Sequence, residues 1–283
     1  MSPAPRSVES PETQARSVDR AAVPASARRR IPLRPTCAQP HACPAPVRMR
    51  VLSRTPMFAG LGEDQLADVD RRMTSLSWAE GDPVYTEGEP AEHLYLVAAG
   101  RAKAYRTAPN GQEVVVELLG PGDLFGGLRT LGRPAYDESV EAMTTVCALR
   151  IGDDAFRRVL VEHPEVGLRV LDDAAALLAQ ARADVTRQST ATVAERLATV
   201  LLRLTGKFGQ PGRDGDTLIE LPLSRADLAG MTGSTPESVS RVMSRWRQEG
   251  ILDTGRRWTA VRDPRRLAEI AAAGTWPGRP AVD

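Results

Sequence analysis

Between Trp78 and Ile151 the chain alternates short apolar runs with glycine-centred turns. The runs are Pro83–Tyr85, Leu94–Val97, Ala102–Tyr105, Val114–Leu119 and Val146–Ile151. The breaks are Glu80-Gly81-Asp82, Glu87-Gly88-Glu89, Ala99-Gly100-Arg101, Asn110-Gly111 and Gly120-Pro121-Gly122-Asp123. Strands this short, joined by residues that tolerate positive φ, predict an antiparallel barrel or sandwich, with Asn110-Gly111 as its strongest hairpin signal. Ahead of this stretch Leu66, Val69 and Met73 recur at the helical period, and order is expected to begin near Val51. Behind it come a short helix at Asp153–Val161 and a long one from Pro164 to about Arg187. In the long helix Leu171, Ala174, Leu178, Ala181 and Val185 step by 3, 4, 3, 4, the seam of a two-stranded coiled coil. The pattern favours a homodimer; the alternative is a helix lying on its own β-domain.

Further helices are expected at Thr192–Leu204, Arg225–Met231, Pro236–Glu249 and Pro264–Ala272, with a hairpin through Gly255 and Trp258–Val261. Helices that end in a two-stranded wing predict a winged helix-turn-helix. Ser224 with Asp227 three residues on resembles a capping box, although Asp replaces the usual Glu or Gln. Met231-Thr232-Gly233 forms the turn, and Thr235 caps a second helix with Pro236 in its first turn. Glu237 and Arg241 share one face near its N-terminus, and Val239, Val242 and Trp246 make the core stripe. On an arbitrary helix such a Glu/Arg pair is a surface salt bridge. Here the turn, cap and wing favour base contacts, Arg donating to guanine and Glu accepting from a cytosine amine. The fold class is α+β: an N-terminal antiparallel β-roll, a long dimerisation helix and a C-terminal winged helix-turn-helix.

Charge sharpens this division. The net charge is only +1, yet Lys and Arg outnumber Asp and Glu by nine to three over residues 1–50, trail by 13 to 22 over 51–186, and lead by 15 to 11 over 187–283. Basic ends around an acidic middle suit a chain that touches nucleic acid with one part and does something else with another. Residues 1–36 are rich in Pro, Ser, Arg and Ala, include Arg28-Arg29-Arg30 and show no apolar periodicity, so a disordered tail is expected. The first forty residues lack an apolar leader core, and no apolar run approaches membrane length. Three cysteines, Cys37, Cys43 and Cys147, argue against a disulfide scaffold and for a reducing, cytoplasmic setting. Neither a phosphate-cradling glycine loop nor a nucleophile–base pair is present, so no catalysis is expected.

The string LSRADLAGMTGSTPESVSRVMSRWRQEGIL, Leu223–Leu252, resembles the helix-turn-helix of the catabolite-activator and fumarate-nitrate-regulator (CRP/FNR) superfamily. Gly81–Gly127 is similar to that family's cyclic-nucleotide-binding-type β-roll, and 164–187 to its dimer helix. The resemblance covers about residues 50–273. It implies 1–36 as a basic tail, 37–50 as a cysteine-bearing segment, 51–163 as a sensor β-roll, 164–187 as the dimer helix, 188–275 as the DNA-binding domain and 276–283 as a C-terminal tail. It also implies a palindromic double-stranded DNA site, RNA polymerase as a partner and no membrane. The Glu-x-x-Ser-Arg pattern resembles the oxygen-sensing branch, which reads TTGAT half-sites, so Glu237, Ser240 and Arg241 are the implied base contacts. The cAMP branch carries Gly at the position of Ser240, a Glu after Phe-x-Gly and an Arg-Ser pair. This chain has Phe125-Gly126-Gly127-Leu128, and Asp137-Glu138-Ser139 where that pair would fall. A carboxylate pair repels a cyclic phosphate, so cAMP is not the expected effector.

The oxygen-sensing branch holds an iron–sulfur cluster on an N-terminal cysteine group ending in Cys-x5-Cys and on one strand cysteine. Cys37 and Cys43 have that spacing and Cys147 lies in a strand run, so an iron–sulfur cluster is the implied cofactor, on soft sulfur ligands. The pattern departs at Arg34, where the family places a further cysteine. His41 is the nearest substitute ligand, with Asp137, Glu138 or a small molecule behind it. A thiol switch or an unidentified small effector are the alternatives for the sensor. A cyclic-nucleotide signalling module without DNA function is the alternative for the whole chain.

Overall fold

A computed structural model describes residues 43–212 and 215–273; side chains at 177, 180, 181 and 183–190 are not described. The expected tail, Cys37, His41 and residues 274–283 lie outside the described residues, as do the side chains of Ala181 and Val185. The first helix, α1 (Ala45–Arg54), starts earlier than the order expected from Val51. The Pro44 carbonyl accepts from the amides of Val47 and Arg48, and Arg48 pairs with Asp70 at 2.6 Å. These are polar interactions, one of them between residues 22 apart, that apolar periodicity does not register. A short 3-10 turn, Pro56–Phe58, leads to α2 (Glu63–Arg71), which carries Asp70.

Eight strands follow: β1 (Thr74–Trp78), β2 (Pro83–Tyr85), β3 (His93–Ala99), β4 (Ala102–Thr107), β5 (Glu113–Leu119), β6 (Leu124–Gly126), β7 (Ser139–Ala142) and β8 (Val146–Gly152). They form two four-stranded antiparallel sheets, ordered β1-β8-β3-β6 and β2-β7-β4-β5. Alternation within the first sheet sorts its side chains. Tyr95, Val97, Val146 and Ala148 face inward to the second sheet and join Tyr85, Ala104, Phe125 and Val140 in one core. Leu94, Leu96, Cys147, Leu149 and Ile151 face outward to a helical layer that supplies Leu52, Phe58, Val69, Phe156 and Val159.

That layer includes α3 (Asp153–Glu162) and the base of α4 (Pro164–Thr190), which runs three residues past Arg187. Val166 is fully buried in it. Beyond that turn the helix presents apolar residues to solvent: Leu168, Leu171 and Leu178 are 64%, 66% and 54% exposed, and Ala174 is exposed as well. A helix packed along its own β-domain would have covered them.

The remaining elements are α5 (Val193–Phe208), β9 (Gly209–Pro211), β10 (Thr217–Ile219), α6 (Arg225–Thr232), α7 (Pro236–Gln248), β11 (Leu252–Gly255), β12 (Trp258–Val261) and α8 (Pro264–Ala273). The four strands form a sheet ordered β11-β12-β10-β9. Of these, β9 and β10 are only three residues long, and β9, an edge strand, is Gly-Gln-Pro, so neither gives an alternation signal.

Residues 35–283 cluster as one unit, and the contacts inside it join the winged domain to the β-roll. Val115 and Leu118 of β5 share a core with Leu197, Leu201, Leu228 and Trp246. Lys207 Nζ lies 2.9 Å from Glu117 and 2.8 Å from Asp123. Arg257 in the wing donates two hydrogen bonds, of 2.9 and 3.0 Å, to the Glu80 carboxylate, which lowers the Glu80 pKa. At the centre, α6 lies on β5 so closely that a Cβ on Gly230 would fall 2.8 Å from the Glu113 carbonyl oxygen and 3.1 Å from the Val115 nitrogen.

Because both obstacles at Gly230 are backbone, Gly230→Ala is expected to lower stability by about 1–3 kcal/mol. Gly206 in α5 faces open space, so Gly206→Ala is expected to raise stability by roughly 0.5–1 kcal/mol through helix propensity. Thermal unfolding of both variants checks this. An unchanged midpoint for Gly230→Ala would mean that α6 does not rest on β5 in solution.

Candidate nucleic-acid interface and sensor face

Two short helices and their caps build the exposed recognition surface. Ser224 opens α6: its hydroxyl accepts from the Asp227 amide at 3.0 Å, and Asp227 accepts from the Ser224 amide at 2.8 Å. The shorter Asp therefore completes the capping box that Glu or Gln usually provides. Met231 and Thr232, expected in the turn, belong to the helix. Gly233 ends it with φ +55°, in the left-handed region where glycine carries no steric penalty. Thr235 then caps α7, its hydroxyl accepting from the Ser238 amide at 3.3 Å.

Val239, Met243 and Trp246 pack α7 into the core, fully or almost fully buried. Val242, expected in that stripe, is half-buried, and Met243 has its place because the stripe steps by four and then three from Val239. Glu237, Ser240 and Arg241 are all exposed on the other side. Among the described ion pairs none joins Glu237 to Arg241; the Arg241 guanidinium donates to the Ser238 hydroxyl at 3.3 Å. The Glu237 pKa is lowered, first by its own backbone amide at the helix N-terminus and then by the Thr235 hydroxyl. A carboxylate with a lowered pKa and a guanidinium that forms no ion pair among the described residues thus stand on the same exposed face. Arg225 at the start of α6 has a lowered pKa, from burial and then from Arg247, so two guanidinium groups lie near the same end of the motif.

Cys43 and Cys147 come from distant parts of the chain and are buried in the same apolar cluster, at 3% and 0% exposure. On β8, Cys147 is paired with Ser77 of β1 on one side and Ala99 of β3 on the other. The Cys43 amide donates to the Ser75 hydroxyl of β1 at 2.8 Å. The two thiols therefore belong to the outward, helix-covered face of the first sheet. Asp137 and Glu138 do not join them. Asp137 is half-exposed and pairs with Arg133 at 3.5 Å, while burial raises the Glu138 pKa, with Arg133 and Arg106 opposing. Their segment enters β7, in the other sheet, so neither serves as the fallback ligand considered from the sequence.

The inward face is filled by aromatic rings. Tyr85 stacks on Tyr136 at 3.8 Å and lies 5.8 Å from Tyr95, which in turn stacks on Phe125 at 5.1 Å. The Tyr85 hydroxyl is buried without a hydrogen-bond partner among the described residues, and burial raises its pKa. Sequence reading missed this stack, the Glu80 to Arg257 link and the serines beside the cysteines. The four rings are spread over three strands and a loop, and nothing local marks them.

Two domain models match the chain in order. Residues 75–163 match the cyclic nucleotide-binding domain and 195–270 the Crp-like helix-turn-helix domain. The CRP-like cAMP-activated global transcriptional regulator of Mycobacterium tuberculosis is 27% identical over 78% of this chain and 98% of its own length. The nitrogen fixation regulation protein FixK of Bradyrhizobium diazoefficiens is 26% identical over 76% of this chain and 89% of its own. In solved structures, FixK2 from Bradyrhizobium japonicum superposes with a TM-score of 0.64 at 27% identity, covering 72% of this chain and 99% of that one. Among the described residues no helix is long and apolar enough to cross a membrane. With both domain models matched in order over more than half of the residues, and whole-length relatives that are themselves regulators, the chain belongs to the CRP/FNR family of DNA-binding transcription regulators and not to an enzyme family.

Proposed function

We propose that this chain is a homodimeric regulator that reads TTGAT-type palindromes through Glu237, Ser240 and Arg241. Its sensor, in this proposal, is an iron–sulfur cluster held by Cys37, Cys43 and Cys147, responding to oxygen, nitric oxide or redox state. The single observation that carries the sensor is the burial of Cys43 and Cys147 in one apolar cluster. The donor set fits the group: soft sulfur in a dry setting suits iron–sulfide. Cys37 and His41 complete the ligand set in this proposal. When bound, the cluster supplies one-electron chemistry and reactivity toward oxygen or nitric oxide.

The protein's own part is to couple that face to DNA. The apolar layer around the thiols also contains Val166, with Val170 packed against it, so the base of α4 rests on the layer that holds the cluster. A change in that layer tilts α4 and the exposed Leu171, Ala174 and Leu178, and with them the spacing of two recognition helices across the dimer. RNA polymerase is the partner that acts on the result. A second reading, a cyclic nucleotide inside the β-roll, is favoured by the matched cyclic nucleotide-binding domain and by the cAMP-activated relative. Against it stand Leu128 for the expected Glu and Asp137-Glu138 for the expected Arg-Ser. Isothermal titration with cAMP discriminates: no heat is expected, and micromolar binding would displace the cluster as the effector.

Three measurements test the proposal. Leu178→Glu places two carboxylates in an apolar seam, where unpaired charge is costly, and sedimentation is expected to show monomer. A retained dimer would place the contact elsewhere. Arg241→Ala is expected to lose about 1–3 kcal/mol at one guanine per half-site and to relax specificity there. Equal weakening on all sequences would make the arginine a phosphate clamp. Cys37→Ser, Cys43→Ser and Cys147→Ser are each expected to abolish the anaerobic chromophore. If only two of the three matter, no iron copurifies and dithiothreitol toggles DNA binding in air, the sensor is a thiol switch.

A further inference from the structure

The helix-covered face of the first sheet is apolar except at one place. In β1 the sequence Thr-Ser-Leu-Ser-Trp alternates, and the register sorts it: Leu76 pairs with Ala148 and Trp78 with Val146, both inward residues, while Ser75 pairs with Leu149 and Ser77 with Cys147, both outward. Directly paired residues of an antiparallel ladder share a face. Two hydroxyls thus stand across the ladder from Leu149 and Cys147, on the face that also carries Leu94, Leu96 and Ile151. Ser75 accepts the Cys43 amide, which leaves its own O–H proton to be donated elsewhere. Ser77 is directly across the ladder from Cys147, and among the described residues no side-chain hydrogen bond engages its hydroxyl.

Ser75 answers the Cys43 amide, but Ser77, half-buried on a face that is otherwise Leu, Ile and Cys, is not explained by packing, since Ala or Val would bury more apolar surface. A hydroxyl beside a thiolate does have an electrostatic consequence. Donors to the sulfurs of an iron–sulfur cluster stabilise its more negative, reduced state and so set its potential. We infer that Ser75 and Ser77 are positioning residues for the cluster, Ser75 fixing the Cys43 end and both donating hydrogen bonds to its sulfurs, so that they govern how readily it is oxidised. This inference rests on the cluster reading above.

The test uses the full-length chain, loaded anaerobically with ferrous iron and sulfide, as wild type, Ser75→Ala, Ser77→Ala and Ser75→Thr. Iron and sulfide per chain, the midpoint potential by spectroelectrochemistry and the bleaching rate in air are measured. Both Ala variants are expected to load, to show a more negative midpoint potential and to bleach about tenfold faster. Ser75→Thr, which keeps the hydroxyl and suits a strand, is expected to restore wild-type values. A serine that matters only for packing would leave the potential unchanged. Wild-type potential and bleaching rate in a loaded Ser77→Ala protein would overturn the inference while leaving the cluster standing, even if Ser75→Ala fails to fold. A wild type that holds no iron would overturn the cluster reading and this inference with it.

Discussion

The first sheet has no solvent face. Its inward side closes on the second sheet through Tyr95, Val97, Val146 and Ala148, and its outward side is covered by α1, α2, α3 and the base of α4 through Leu94, Leu96, Leu149 and Ile151. Burial on both sides leaves little room for adjustment, because a close-packed interior transmits a displacement instead of absorbing it. Both regions with sensing potential adjoin this sheet, the aromatic stack on one side and the two thiols on the other. The helix that carries the proposed dimer seam starts from the thiol side.

From there two routes lead toward DNA. One runs through α4. The other runs within a single chain, where β5 carries α6 directly on its backbone and the ion pairs of Lys207 and Arg257 flank the contact. These surface pairs add little stability by themselves. Their significance is orientation: Glu80 lies in the turn between β1 and β2, so the wing is tied to the end of the strand that bears Ser75 and Ser77. The proposed recognition residues Glu237, Ser240 and Arg241 are all exposed, and the pKa of Glu237 is lowered first by the backbone at the end of its own helix.

Much of this was legible in the sequence because the signals are local. Asn110-Gly111, the Ser224 and Thr235 caps and Gly233 each describe their own few residues, and the structure has a turn or helix end at each. The stepping of Leu171, Ala174 and Leu178 describes one helix, and the structure has that helix with those side chains exposed. The aromatic stack, the seat of Gly230 on β5 and the pairing of Ser77 with Cys147 were not legible. Each depends on register between strands or contact between domains, and a single residue such as Gly230 looks the same in a sequence whether its missing Cβ faces water or another backbone. Met243 was missed for a simpler reason: Val242 beside it is as apolar, and only the exact phase of α7 decides between them.

The central claim is that oxidation at the thiol face alters DNA reading. Its most direct test is fluorescence anisotropy at one fixed salt concentration, following wild-type protein on a TTGAT-N4-ATCAA duplex and on a scrambled duplex, before and after exposure to air. The account predicts tight, sequence-specific binding by the anaerobic protein, falling toward the scrambled-site value as the chromophore disappears. Equal affinity for the palindrome before and after bleaching would contradict it.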